Sequence, residues 1–555
     1  MKKIKDMPKY YLLFLSIFPI VYLQCTILDN EGGSIIKMTR STFSDKMKGA
    51  WAGQLIGVTY GYPVEFKYNT AMVPDTLNLC LAPGTMQKVY KESPGAYDDI
   101  YVELTFLDVY SKNSNASARE YAEAFGKTNY WLWFANQMAR NNIRNGILPK
   151  KSGHWIWNPE CTSIDFQIEA DFIGLLYPGL RAQALSLADS IGHIMAYGDG
   201  YYGGVFVSQM YAAAFITDDI QKVIADGLAA IPEKSRFFQM ISDVIEYHNI
   251  YPDDWKANWK FISDKYSNEN GSPFGVFDPW NIEASMNSAH VVTGLLYGGG
   301  DFEKTMDIAT RCGNDADCNP ATAAGVLGTI MGFNKIPDKY KKEVVAVYDW
   351  KFLDSEYSLG IAIEVTEKLA LENIEENGGK ISDTVVVISP NKASLSELEV
   401  ARPNHYPTEK INLWRSISID DPSAHEYLTT LPKDKRTNLI NKRDSLTLAT
   451  DLFSGEYSFS FSGNGYCVLG KVVNEAAGEW NFTDDTTSAS VFIDGQFKEN
   501  VFFPIGFDNR RFLAFFDYTL EQGQHHVRIV AKGKRVKDYR FELYNTIIYE
   551  DQNVE

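Results

Sequence analysis

Apolar side chains recur with helical spacing through most of the chain. Between about residues 40 and 375 they return every three or four positions, as at Ile100, Leu104 and Leu107. Strand patterns are few in this part. The spacing therefore predicts an all-α domain at residues 36–377.

The pattern changes to strict alternation from Gly455 onward. Short apolar runs are separated there by turn residues such as Asp494-Gly495, which is typical of antiparallel strands. The runs span residues 457–461, 490–493, 511–516 and 526–530. This predicts an all-β sandwich at residues 451–555. Residues 378–450 are loop-rich and charged, and are predicted to be a linker and irregular segment that includes one strand at residues 385–390.

Four glycines follow one another at every fourth position of the first predicted helix: Gly49, Gly53, Gly57 and Gly61. This spacing puts them on one helix face, where another backbone can come very close. Each glycine costs about 1 kcal/mol in a helix interior, so close packing or a site must offset them. Glu65 comes just after this helix ends.

An Asp-x-Asp pair, Asp315 and Asp317, lies on a Gly-Asn turn that leads into a helix rich in small residues. Asn319 is the expected N-cap and Pro320 the expected first helical residue. The two carboxylates either stabilise the positive end of the helix or offer oxygen ligands to a hard cation.

A second acidic pair, Asp98-Asp99, also comes at a predicted helix start, after the loop residues Pro94-Gly95. Acidic pairs that converge from distant segments are how proteins build a cation site from oxygen ligands. The two pairs together therefore favour a metal site over simple helix capping.

Residues 130–160 are rich in aromatic side chains, with Trp131 and Trp133 among them. They are interpreted either as core packing or as a stacking platform for a sugar or base. Further along, Glu169 and Asp171 stand among apolar residues, which is unusual for a solvated face.

Length and charge limit the class of protein. A chain of 555 residues is too long for one compact core and predicts at least two domains. The formal net charge of -18 argues against nucleic acid or an anionic membrane surface as partner.

The N-terminus predicts export. Basic residues precede an apolar stretch at Tyr10 to Leu23, so residues 1–25 are predicted to be a signal peptide. Cys25 follows directly, which resembles a lipoprotein signal and would give a lipid anchor as the only membrane attachment. The expected location is the periplasm or cell surface. The other cysteines have no zinc-ligand spacing and are expected to be mostly buried thiols.

With these motifs in place, the helical domain resembles the ADP-ribosylglycohydrolase family. The resemblance rests on four segments in the family's order: Gly61 to Phe66, Tyr97-Asp98-Asp99, Gly192-His193 and Gly313 to Cys318. It implies a metal-dependent glycosidase that hydrolyses a ribofuranosyl or similar N- or O-glycosidic bond in a sugar-containing small molecule or glycan. The sandwich resembles accessory domains of exported carbohydrate-active proteins.

The resemblance also implies roles for individual residues. Magnesium, as one or two ions, is the expected cofactor, held by Asp98, Asp99, Asp315 and Asp317. The predicted catalytic residues are Glu65, Asp99 and Asp315. The predicted substrate-binding residues are His193, Asp199, Glu169 and Asp171.

Three positions depart from the family pattern. Val58 stands where the family has an aspartate, and Tyr97 and Cys318 stand where it has hydroxyl ligands. Two alternatives therefore stay open: an exported hydrolase directed at glycans on the same scaffold, and a carbohydrate-binding surface lipoprotein without catalysis.

Overall fold

The structure, a computed structural model, describes residues 25–28, 34–266, 271–418, 445–474, 483, 485–532 and 539–552. Of the signal peptide predicted at residues 1–25, residues 1–24 lie outside the described part of the chain, and Cys25 begins the first strand. None of the helices in the described ranges has the length and apolar character needed to cross a membrane.

The first two thirds of the chain are helical, as the spacing of apolar residues predicts. The helices are α1 (Arg40–Gly61), α2 (Thr85–Glu92), α3 (Asp98–Lys112), α4 (Ala118–Gly126), α5 (Phe134–Arg144), α6 (Asp165–Ile168), α7 (Asp171–Leu176), α8 (Arg181–Gly192), α9 (Asp199–Ala214), α10 (Ile220–Leu228), α11 (Arg236–Ile250), α12 (Trp255–Tyr266), α13 (Ala284–Gly298), α14 (Phe302–Arg311), α15 (Cys318–Met331), α16 (Asp338–Val347) and α17 (Leu359–Glu376).

The centre of this domain is the contact between α1 and α15. A Cβ on Gly53 would collide with the carbonyl oxygen of Ala324, and one on Gly57 would collide with the backbone of Ala321. The glycine face predicted from the sequence thus allows two helix backbones to touch. Because both helices are almost wholly buried, this contact fixes the relative position of their ends.

A small antiparallel sheet joins the two ends of the helical domain. Its strands, in the order β1-β2-β4-β3, are β1 (Cys25–Leu28), β2 (Ser34–Thr39), β3 (Lys380–Ile381) and β4 (Val385–Ile388). Val386 and Ile388 are buried against the helical core. The strand predicted at residues 385–390 is confirmed as β4, which ends at Ile388 and belongs to the helical part.

The C-terminal part is a β-sandwich, as predicted. Its strands are β5 (Tyr406–Asn412), β6 (Arg415–Ser418), β7 (Ser445–Leu448), β8 (Thr450–Asp451), β9 (Glu456–Gly463), β10 (Gly465–Asn474), β11 (Thr486–Ile493), β12 (Gln496–Pro504), β13 (Leu513–Asp517), β14 (Gly523–Lys532) and β15 (Tyr539–Glu550). One antiparallel sheet has the order β13-β10-β15-β5, with β8 also on β15, and the other has the order β12-β11-β14-β9. A short β6-β7 pair lies beside them.

Alternation along the strands builds the sandwich core. In β9, Phe459 and Phe461 are buried while Ser458 and Ser460 are exposed. Strand β5 lies in the segment predicted to be a linker. It pairs with β15 alone at the edge of the sheet and is largely exposed, so its sequence shows only weak apolar alternation.

The sandwich packs directly on the helical domain. Met138 and Val276 share a buried apolar cluster with Leu513, Tyr518 and other sandwich residues. Arg402, in the connecting segment, is buried and donates hydrogen bonds to the Pro159 carbonyl and, at 3.2 Å, to Thr162 Oγ1. The two domains therefore form one continuous body around this interface.

Candidate metal and substrate site

The end of α1 lies against the Asp-x-Asp turn. A Cβ on Gly61 would collide with the Ala316 carbonyl and the Asp317 backbone, so this glycine permits the approach. The chain then makes a short 3-10 turn at Tyr62–Val64 and reaches Glu65. The four glycines of α1, which we call the glycine ladder, thus allow Glu65 to lie near the acidic pair, which comes 250 positions further along the sequence.

A left-handed turn presents the Asp-x-Asp pair. Gly313 and Asn314 have φ values of 79° and 55°, a conformation that glycine and asparagine tolerate best. The Asn314 N–H donates to the Tyr68 carbonyl at 3.0 Å, and Asn314 Oδ1 accepts from the Thr70 N–H at 2.8 Å. These bonds tie the turn to the loop after Glu65.

The helix after this turn begins earlier than the sequence suggests. Asp317, not Asn319, is the N-cap of α15, and its Oδ1 accepts the Cys318 N–H at 3.0 Å. Asn319 lies inside the helix and donates to Asn287 Oδ1 at 2.9 Å. The prediction of Asn319 as N-cap is wrong because an aspartate two residues earlier satisfies the free N–H first.

Asp98, both members of the Asp-x-Asp pair and Glu65 reach one cavity of about 590 Å³ in the helical domain. Six carboxylic side chains line it: Glu65, Glu92, Asp98, Asp165, Asp315 and Asp317. Asp315 and Asp317 are 3% and 2% exposed, whereas Asp98 and Glu65 are half-buried. Asp99 is buried next to Asp98 and is not part of the cavity lining.

Burial and mutual repulsion raise the pKa of these carboxyl groups. Burial is the main cause for Glu65, followed by the charges of Asp315 and Asp98, and its pKa rises to about 8. The pKa of Asp98 likewise rises to about 8, through burial and then the charge of Asp315. Burial, followed by the Glu65 charge, raises the pKa of Asp317 well above its usual range. Such a group of carboxylates is stabilised by a cation.

The donor set fits a divalent cation. One potential ligand atom each from Asp315, Asp317 and Cys318 lies within 4.8 Å of the other two. Asp315 Oδ1 and Asp99 Oδ1 are buried and accept no hydrogen bond from the described residues. Buried carboxylate oxygens without a donor need another partner, and oxygen ligands suit magnesium or a similar hard ion.

Two of the three departures from the family pattern can be placed. Tyr97 is buried, and its hydroxyl hydrogen-bonds to Thr59 Oγ1 on α1 at 3.0 Å. This bond directs the Tyr97 hydroxyl away from the Asp-x-Asp group. The Cys318 thiol lies within that group, and burial followed by the Asp315 charge raises its pKa well above the usual range. A neutral thiol is a poor ligand for a hard cation.

The structure does not bring His193 and Asp199 to the cavity. His193 is buried, stacks on Tyr201 with ring centroids 4.3 Å apart, and bonds through Nε2 to Glu399 at 2.8 Å. Asp199 begins α9, and its Oδ1 accepts the Phe237 N–H at 3.3 Å. Both residues hold neighbouring segments in place.

Glu169 and Asp171 are buried beside the site and do not line the cavity. Glu169 accepts a hydrogen bond from Asn136 Nδ2, and Asp171 accepts one from the Tyr211 hydroxyl at 2.6 Å. Burial raises the pKa of Asp171 to about 8, although the Tyr211 bond opposes the rise.

Asp165 is a cavity residue that the sequence did not single out. Its carboxylate accepts the Asn136 N–H at 2.9 Å and the Ala135 N–H at 3.3 Å, and so stabilises the start of α5. Burial raises its pKa to about 6, although these bonds oppose the rise. The signal in the sequence is its place among apolar residues, three positions before Ile168.

Aromatic side chains form another part of the cavity lining. We call Phe66, Trp131, Trp133, Phe134 and Trp280 the aromatic wall. The Trp280 ring contacts Phe134 at 4.8 Å and Phe66 at 5.3 Å between centroids. Phe66 and Phe134 have φ values of 48° and 35°, which large side chains rarely adopt. Such backbone conformations cluster at functional sites.

The β-sandwich supports this wall through residues 507–512, which we call the support loop. Phe507 packs edge-on against Trp131 at 5.6 Å, and the Arg510 guanidinium lies 5.7 Å from the Trp133 ring centre. The Phe512 N–H donates to Gln137 Oε1 at 3.2 Å. The aromatic stretch thus packs in the core at some positions and lines the cavity at Trp131 and Trp133, whose role as a stacking platform stays a prediction.

Comparison with known proteins identifies a family for the helical domain. No curated protein matches the chain. A solved structure titled "ADP-ribosylglycohydrolase-related protein complex" is similar to it at 14% identity and a TM-score of 0.40, covering 60% of this chain and 99% of that one. The family model for ADP-ribosylglycohydrolase matches residues 39–369, which is more than half of the chain. The chain therefore belongs to the ADP-ribosylglycohydrolase family.

Proposed function

We propose that this protein is a metal-dependent glycosidase. The observation that carries the proposal is the convergence of Asp98, Asp315 and Asp317 on one cavity, with buried oxygens of Asp99 and Asp315 that accept no hydrogen bond within the described residues. Asp98, Asp99, Asp315 and Asp317 would hold a divalent cation, with magnesium the best match to an all-oxygen set. The family match supports glycohydrolase chemistry.

The residues have separate roles in the proposed reaction. A bound divalent cation would orient sugar hydroxyl groups and polarise the bond to be broken. Glu65 lines the cavity, and none of the described lining residues is basic. Glu65 would orient a water molecule and accept its proton. The water oxygen bonds to the anomeric carbon, the glycosidic bond breaks, and the proton passes on to the leaving group.

The surrounding acids favour the same step. Positive charge develops on the sugar ring as the glycosidic bond breaks. Asp315 and Asp98 line the same cavity as Glu65. Carboxylates held in this arrangement stabilise the developing charge without having to reorganise.

The test uses the full chain and measures both metal binding and turnover. Calorimetric titration with magnesium is compared for the wild type, Asp315→Asn and the control Asp264→Asn, which changes an exposed acid on α12. We expect Asp315→Asn alone to lose magnesium binding. Hydrolysis of a furanoside panel should stop with EDTA and return with magnesium.

Two results would contradict the proposal. Hydrolysis that continues in EDTA and in Asp315→Asn would exclude metal dependence. Carbohydrate binding without hydrolysis of any panel member would favour the non-catalytic alternative.

A further inference from the structure

We propose that the cavity selects a glycoside without phosphate groups, which stacks on the aromatic wall. The proposal rests on the glycosidase function above and names the substrate class for the same site. Three observations support it: the acidic residues that line the cavity, the carboxylates that accept backbone N–H groups at nearby helix starts, and the aromatic wall.

The charge of the lining opposes a phosphorylated substrate. Six carboxylic side chains line the cavity, and none of the described lining residues is a lysine, arginine or histidine. One divalent cation would balance two carboxylates. Phosphate recognition normally relies on arginine, lysine or backbone N–H groups, and a phosphate facing several carboxylates is repelled.

Basic side chains near the lining have other partners. Lys88 pairs with Glu92 of the lining at 3.7 Å and is not itself a lining residue. Lys67 follows Glu65 closely, but its ammonium donates to the Pro63 carbonyl at 2.6 Å and it does not line the cavity. Arg510 is buried in the support loop, with its guanidinium 3.7 Å from the Phe507 ring centre and 4.9 Å from that of Phe512. None of these three side chains belongs to the lining.

Helix N-termini, which often bind phosphate, are already capped by carboxylates here. At α5, Asp165 accepts two backbone N–H groups. At α15, Asp317 accepts the first N–H, and at α3, Asp98 Oδ1 accepts the Asp99 N–H at 3.2 Å. At the starts of α3, α5 and α15, backbone N–H groups thus bond to the protein's own acids.

The aromatic wall offers the complementary interaction. Trp131, Trp133 and Trp280 present ring surface next to the acids, in a cavity whose volume lies within the roughly 300–1,000 Å³ common for small-molecule sites. An uncharged ring can stack on such a surface, while its hydroxyl groups bond to the carboxylates. A glycoside has both features.

The experiment compares two ligands that differ only in a phosphate: 4-nitrophenyl D-ribofuranoside and its 5-phosphate, each as both anomers, with magnesium present. Affinity is measured by calorimetry and kcat/KM by nitrophenol release. We expect the neutral glycoside to bind at least about tenfold more tightly, and the difference to shrink in high salt, which screens repulsion.

A charge variant sharpens the comparison. Glu92 lines the cavity but is exposed and pairs with Lys88, so Glu92→Gln removes one lining charge without touching the buried acids. We expect it to improve binding of the phosphorylated ligand, relative to the neutral one, by about two- to fivefold. The control is Glu123→Gln, because Glu123 forms a similar helical pair with Arg119 away from the lining.

The outcomes separate this proposal from the proposed function. Equal or tighter binding of the phosphorylated ligand, or no binding of the neutral one, would overturn the substrate class. Preferred binding of the neutral glycoside without cleavage of either ligand would support the substrate class and contradict the glycosidase function.

Discussion

The indole of Trp131, which lines the cavity of the helical domain, packs edge-on against Phe507 of the β-sandwich, with ring centroids 5.6 Å apart and an interplanar angle of 87°. A side chain of one domain therefore supports the cavity wall of the other. This relationship gives the sandwich a part in shaping the site, besides any role as an accessory domain.

Replacing Phe507 with a smaller side chain should weaken substrate binding more than it slows turnover. Phe507→Leu keeps an apolar side chain but loses the aromatic pair, worth about 0.5–1.5 kcal/mol. We expect KM for a cleaved glycoside to rise about two- to tenfold while kcat changes little, because the acids are untouched. Steady-state kinetics checks this, with Phe497→Leu, at an exposed sandwich position, as control. A fall in kcat with unchanged KM would contradict the wall-support role.

The glycine ladder predicts an unusual effect of alanine. Alanine normally stabilises a helix by about 1 kcal/mol relative to glycine. At Gly57 its Cβ would collide with the Ala321 backbone, so Gly57→Ala should instead lower the free energy of unfolding by about 1–3 kcal/mol. Scanning calorimetry measures the change in the helical transition. Gly455→Ala, where a Cβ meets open space, is the control, and a stabilised Gly57→Ala would disprove the close contact.

Replacing the thiol in the acidic group should strengthen cation binding. Cys318→Ser exchanges a neutral, buried thiol for a hydroxyl oxygen among Asp315 and Asp317. We expect magnesium affinity to rise about three- to tenfold, because hard cations prefer oxygen ligands. Calorimetric titration measures this, with the exposed Cys80→Ser as control. Unchanged affinity would show that the residue 318 side chain lies outside the coordination sphere.

His193 predicts a pH-dependent contribution to stability. Burial alone would lower its pKa, but hydrogen bonds to Asp189 and Glu399 outweigh it and raise the pKa from 6.5 to about 9. The native state holds the proton more tightly, so the stabilisation is fully present below pH 6.5 and is lost as pH rises through about 9. It should amount to about 3 kcal/mol.

The measurement compares unfolding midpoints of the wild type and His193→Gln at pH 6 and pH 9.5. We expect a clear deficit for the variant at pH 6 and a much smaller one at pH 9.5. Glu399→Gln should reduce the pH dependence, since it removes the charge that contacts Nε2 at 2.8 Å. A deficit of the same size at both pH values would mean that His193 contributes by packing alone.

The sequence by itself determined the local features. Helical spacing and strand alternation indicated the two domains, because each pattern reflects which face of an element is buried. The glycine ladder at residues 49–61 indicated a close backbone contact, since it destabilises the isolated helix and leaves one face without side chains. The acidic pairs Asp98-Asp99 and Asp315-Asp317 could be recognised in the sequence as potential cation ligands, but their proximity in the fold could not.

Only the tertiary structure decided what meets at the cavity. It directs Tyr97 to Thr59, places His193 beside Glu399, and adds Asp165 to the lining. It also joins Phe512 to Gln137, which lie 375 positions apart. Periodicity reports the burial of one element at a time, whereas these contacts depend on how distant elements pack, so no local pattern could contain them.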